Sequence, residues 1–290
     1  MHFLILAVIS SAAIALVLKY FNSQNGNRYG IIIGNYLTCI LISLIMIRDL
    51  SLIPSASGST FVCGAIGGLL FVAGLVFMQG SINANGATLT SAFGKLGVMV
   101  PLAISFICFG EKPAPVQIVG ILIAISSLIV INSPSKSDTP SVDHASGASS
   151  YSFALLILVF LGNGLADSMA KVFERVGSRE DDKIYIMVVF TVALIISSVL
   201  AYFEYRKTGS KILIKELLAG IAVGVPNYFS SLFLLTSLTK LPAFLVYPVF
   251  STGTIALVML VSTLLFKERP SRMQYFGIGL IMLALILLNL

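Results

Sequence analysis

The sequence predicts an all-α integral membrane protein, with ten transmembrane helices arranged as two inverted five-helix repeats. Three observations carry that expectation. Apolar residues make up 57% of the 290-residue chain and charged residues only 10%, which leaves too few polar side chains to coat a soluble domain of this size. The apolar residues fall in blocks of about 20, the length a helix needs to cross roughly 30 Å of hydrocarbon. And one phrase is written twice, FGEKPAPVQIVGILI from Phe109 to Ile123 and FKERPSRMQYFGIGLI from Phe266 to Ile281.

Taken in order, the blocks place helices over 3–20, 29–48, 59–81, 86–109 and 115–132, then over 151–174, 183–204, 212–236, 242–266 and 272–290. The first block has no basic n-region and no cleavage site of small residues, so it reads as a span rather than a secretory leader. Two apolar runs are about twice the spanning length, and each reads as a helical hairpin broken at a short polar or turn-forming stretch. The breaks are Ser81–Gly86 in the first run and Thr239–Pro242 in the second. Residues 133–150 are rich in Ser, Pro and Asp with almost nothing apolar, which is the composition of a flexible linker. The predicted organisation is therefore a first repeat over 1–132, a linker over 133–150 and a second repeat over 151–290.

The doubled phrase extends along the chain. Aligning Glu111 with Glu268 also aligns Pro113 with Pro270, Gln117 with Gln274, Gly120 with Gly277 and Asn132 with Asn289. One residue further back in offset, the GxxxG of Gly64 and Gly68 aligns with that of Gly220 and Gly224. Such self-similarity is the mark of an internal duplication. Five is an odd number, so a second five-helix unit starts on the opposite face of the membrane and is inverted. Inverted repeats are a recurrent plan of secondary transporters, because each half can adopt the other's conformation. The Glu-Lys-Pro and Glu-Arg-Pro turns read as scaffold, with Pro suited to the first turn of the following helix.

Ten helices in two halves, each ending in a Glu-(Lys/Arg)-Pro…Gln…Gly pattern, resemble the drug/metabolite transporter superfamily, EamA type. The resemblance covers essentially the whole chain. It implies a cavity near the membrane midplane built by the first, third, fourth, sixth, eighth and ninth helices. It also implies alternating access and both termini in the cytoplasm. The chain departs from the common pattern in having no Trp in its first helix, and none elsewhere.

Ionisable groups inside the membrane are costly and rare, so each is a functional candidate. Lys95 stands inside the fourth block between Gly94 and Gly97. It reads as a counter-ion for a carboxylate or phosphate on substrate, or as half of a buried ion pair. Asp167 is the acid well inside the sixth block, suited to pairing with Lys95 or to carrying a coupling proton. Asn163 lies four residues earlier on the same helix face. Pro226 is expected to interrupt the eighth helix, and such breaks often line cavities, which makes Asn227 and Tyr228 candidate ligand contacts. Tyr247, before Pro248 in the ninth block, repeats the theme, and Pro101 is expected to kink the fourth helix. The expected substrate-binding set is thus Lys95, Asp167, Asn163, Asn227, Tyr228 and Tyr247.

Other classes fit less well. The two histidines, His2 and His144, fall outside the blocks, which disfavours haem ligation, metal-dependent hydrolysis and His-dependent nucleophilic catalysis within the bilayer. Asp167 stands alone, where an intramembrane aspartyl protease needs two acids. No catalytic residue, cofactor or metal is expected, and the chain does not read as an enzyme. Cys39, Cys63 and Cys108 all lie in apolar blocks and read as packing residues without a disulfide. The net charge of +6 comes largely from Lys and Arg at block ends, which anchor helices rather than bind nucleic acid. The expected partners are a small-molecule substrate, a coupling proton and membrane lipids, in a monomer or weak homodimer. A lipid or lipid-linked head-group flippase is the alternative within the same fold. With a cytoplasmic N-terminus, seven Lys/Arg fall on the cytoplasmic side and ten on the other. That balance leans against the orientation the resemblance implies; the expectation follows the resemblance, in the cytoplasmic membrane.

Overall fold

The structure, a computed structural model, describes residues 1–21, 28–131, 150–209, 211–265, 271–288 and 290. The predicted linker and the Glu268-Arg269-Pro270 turn lie outside the described residues, apart from Ser150, the first residue of a helix. Among the described residues the regular structure is helical: α1 (His2–Tyr20), α2 (Arg28–Ile47), a single turn α3 (Leu52–Ser55), α4 (Gly58–Asn85), α5 (Ala87–Leu96), α6 (Met99–Phe109), α7 (Pro115–Ile131), α8 (Ser150–Val176), α9 (Asp182–Thr208), α10 (Ile214–Leu238), α11 (Ala243–Leu265) and α12 (Arg272–Leu288). A 3₁₀ turn, Arg179–Asp181, leads into α9. Eight segments among the described residues are long and apolar enough to cross a membrane, the α5–α6 pair counting as one over Leu89–Phe109. Two shorter apolar helices, α7 and α12, have 17 residues each, or about 25 Å. The chain is a multi-pass membrane protein.

Both long apolar runs break where expected. Gly86, at φ 78°, separates α4 from α5, a backbone conformation that glycine adopts without penalty. Of two expectations about proline, one is corrected. The kink expected from Pro101 falls one turn upstream, at Gly97–Val98, and divides the fourth segment into two helices. The reason is local: Pro101 has no N–H to give to the carbonyl four residues back, which is Gly97. That carbonyl instead takes the amide of Val100 at 2.9 Å. Pro226 does not interrupt its helix, since α10 runs unbroken from Ile214 to Leu238.

The chain forms two compact units, 1–72 with 169–241 and 73–168 with 242–290. Each draws helices from both halves of the sequence, and α4 and α8 contribute to both. In the first unit, α10 packs on α2 through its GxxxG. A Cβ added at Gly220 would run into the Ile31 carbonyl, and one at Gly224 would sit 2.7 Å from the Asn35 carbonyl. The matching GxxxG on α4 does the same against α9, where a Cβ at Gly64 or Gly68 would meet Val188 or the Val189 carbonyl. Asp181 caps α4 from another element, accepting the Ser57 N–H at 3.0 Å and the Thr60 hydroxyl at 2.7 Å. Lys171 is buried and bonded to Glu174 at 2.8 Å.

In the second unit, α7 and α12 pack antiparallel and reciprocally. Gly120 near the start of α7 faces Leu287 and Leu288 at the end of α12, and Gly277 near the start of α12 faces Ile131 at the end of α7. Each helix is capped by its own glutamine: Gln117 Oε1 accepts the Ala114 N–H at 3.0 Å, and Gln274 Oε1 the Ser271 N–H at 2.8 Å. Glu111 reaches the start of α11, accepting the Phe244 N–H at 3.3 Å.

Candidate functional site

Four of the six candidate residues, Lys95, Asn163, Asp167 and Tyr247, belong to the second unit. The site is organised by the break between α5 and α6. Lys95 occupies the last turn of α5, and α6 begins four residues later at Met99. Its carbonyl accepts the Val98 N–H at 3.3 Å, which closes α5 with a tight turn. The break puts the C-terminal end of one helix and the N-terminal end of another at the same level inside the apolar segment. Lys95 is the seventh residue of that 21-residue segment. Polar backbone at this depth is tolerated where protein or a water-filled cavity satisfies it.

Helix α8 meets the break closely, with Gly164 against the Gly97 carbonyl and the Val100 side chain. A Cβ at Gly164 would lie 2.5 Å from the Gly97 carbonyl, and one at Gly97 would lie 3.1 Å from both the Gly164 nitrogen and the Phe160 carbonyl. One residue earlier, the Asn163 amide fills a notch left by two glycines. Its Oδ1 is 2.7 Å from where a Gly74 side chain would begin, and its Nδ2 is 2.9 Å from the corresponding point at Gly94. The sequence reading identified Asn163 but not Gly74, because the notch joins α4, α5 and α8 and has no local signature. The flanking Gly94 was the one visible hint.

Lys95 and Asp167 both keep accessible side chains. Each feels the other's charge. Among the described residues they make no direct ion pair, with no N···O contact within 4.0 Å. Tyr247 is 1% exposed, and its hydroxyl donates to the Asp167 carbonyl at 2.8 Å. It therefore fixes α8 at the level of Asp167 from α11.

Asn227 and Tyr228 belong to the first unit. Asn227 Nδ2 donates to Asn35 Oδ1 at 3.0 Å, joining α10 to α2. Tyr228 is wholly buried. Beside them the Cys39 thiol donates to the Gly224 carbonyl at 3.3 Å. These side chains hold a helix pair together in this conformation. Among the described residues no group of His, Cys, Asp and Glu is arranged to hold a metal ion.

Residues 150–290 match the EamA-like transporter family. An uncharacterized protein of Haemophilus influenzae is 24% identical over 96% of this chain and 94% of its own length. A crystal structure of a protein superposes with a TM-score of 0.77 at 13% identity, covering 98% of this chain and 94% of that one; this likeness speaks to the fold alone. The second half of the chain thus resembles the EamA-like transporter family.

Proposed function

We propose that the protein is a secondary transporter that moves a small polar or anionic metabolite, such as an amino acid or related compound, by alternating access. The single observation that carries this reading is Lys95. It is an accessible ammonium with no ion-pair partner among the described residues, at a break between two helices inside an apolar segment. Its charge favours an anionic group on the substrate. Asp167 carries the coupling proton or answers the substrate's amine, and Asn163 offers the substrate a hydrogen bond. No catalytic step is required of any residue.

In this reading residues 1–132 and 151–290 are inverted repeats joined by a linker over 133–150, in the cytoplasmic membrane with both termini in the cytoplasm. The paired packing supports it. The two GxxxG motifs and the glycines at 120 and 277 each make the contact that their counterpart makes.

The test is a thermal-shift screen of purified protein in detergent against pooled amino acids, carboxylates and phosphate esters, followed by uptake of the hits into proteoliposomes. Ligand at about 100 times its dissociation constant adds roughly 2.7 kcal/mol to stability. Hits that are transported by the wild type and lost in Lys95→Gln support the reading. Hits and uptake unchanged in Lys95→Gln overturn the role given to Lys95. Uptake that appears only with lipid-linked head groups moves the assignment to a flippase.

A further inference from the structure

We infer that the first unit carries a binding site for an anionic phospholipid of the surrounding bilayer, at the end of α9. The site is independent of the transport reading. A recess of about 400 Å³ lies between α2, the last turns of α9 and the segment entering α10. Its wall is apolar, formed by Ile33, Ala201 and Ile212, and its rim carries Tyr202, Tyr205 and Lys211. Tyr202 and Tyr205 are 57% and 46% exposed. The recess lies along the last turns of α9, which carry the basic Arg206 and Lys207 before Gly209. Tyrosine at such a helix end suits a boundary that is apolar below and wet above.

Charge selects the occupant. Arg206, Lys207, Lys211 and Lys215 are all exposed within ten residues of chain. Arg206 and Lys207 complement the C-terminal end of α9 and need no ligand to explain them. Lys211 is different: it is not on a helix, and it lines the recess. The nearby acids do not cancel it. Glu216 is 4% exposed and turned inward, accepting the Leu213 N–H at 2.8 Å. Glu204 is half-buried and acts on Tyr29. An apolar wall below a tyrosine rim and a free-standing cluster of cations fits an acyl chain below and a phosphodiester above. A zwitterionic headgroup would bring its own cation into the cluster.

The experiment measures lipid binding to the full chain in neutral detergent by native mass spectrometry, with thermal unfolding as a second readout. Phosphatidylglycerol is expected to bind and stabilise, and phosphatidylcholine to do so much less. Lys211→Gln is expected to weaken phosphatidylglycerol about fivefold, the effect of one cation near an anionic surface. Ser198→Trp fills the recess from an exposed helix position and leaves every charge in place; it is expected to remove the preference. Equal binding of the two lipids, or an unchanged preference in both variants, overturns the site. Equal stabilisation by inorganic phosphate overturns the lipid assignment.

Discussion

The amide of Asn163 occupies the place where a side chain at Gly94 would begin, with Nδ2 2.9 Å from the position of that Cβ. The same amide lies 2.7 Å from the equivalent point at Gly74. Both distances are shorter than van der Waals contact, so Gly94→Ala and Gly74→Ala must displace Asn163 or spread the helices. Each is expected to cost about 1–3 kcal/mol, the usual range for overpacking. Adding Asn163→Ala should relieve most of the cost, because it removes the obstructing atoms. A double-mutant cycle by chemical denaturation checks this. Additive losses would mean that the glycines are needed for another reason.

Lys95 and Asp167 sense each other but do not touch, and stability measurements can tell that state from a locked pair. Breaking a true buried ion pair costs about 3–5 kcal/mol, since one charge is left uncompensated. For two accessible, separated charges, Lys95→Gln is expected to cost less than about 1 kcal/mol. The same variant should lose substrate-dependent stabilisation. A large loss of stability in Lys95→Gln without ligand would assign the lysine to scaffold.

The sequence revealed most where chemistry and periodicity were local. Apolar blocks of spanning length located the helices, and Gly86 marked the turn that divides a long apolar run in two. The break at Gly97–Val98 was harder to see. Pro101 stands out, but its effect falls four residues upstream, on the carbonyl of Gly97 that it cannot serve. Pro226 carries the same potential, and α10 stays whole around it. Its missing bond falls on Ala222, inside a helix that Gly220 and Gly224 clamp against α2. Pattern alone does not say whether neighbours will hold a helix together. Nor does it say which faces meet: Tyr228, beside a proline, is wholly buried in this conformation.

The Tyr247 hydroxyl donates to the Asp167 carbonyl of α8 at 2.8 Å. That carbonyl lies in a helix, so it is a second acceptor contact and its loss leaves no bare polar atom. Tyr247→Phe is therefore expected to cost about 1 kcal/mol, near the mean for a neutral hydrogen bond. The ring stays buried, so packing is unchanged. If the bond holds Asp167 in register, the variant should weaken substrate more than it lowers stability. Ligand titrations beside denaturation curves separate the two effects. A stability loss with unaltered affinity would leave Tyr247 a packing residue.

Gln117 and Gln274 perform the same task on α7 and α12, each accepting an N–H three residues back at the start of its helix. Removing a cap exposes a backbone donor that no neighbour serves. Gln117→Ala and Gln274→Ala should therefore each cost about 0.5–2 kcal/mol. The two helices run antiparallel, with Gly120 against Leu288 at one end and Gly277 against Ile131 at the other. The two caps thus sit at opposite ends of one packed pair and share no partner. Their costs should be similar in size and should add within about 0.5 kcal/mol in the double variant, as for independent sites. Matching unfolding curves for the two single variants would give the doubled phrase a measured physical equivalence. A large cost at one end with none at the other would show that the two turns, alike in sequence, carry different loads.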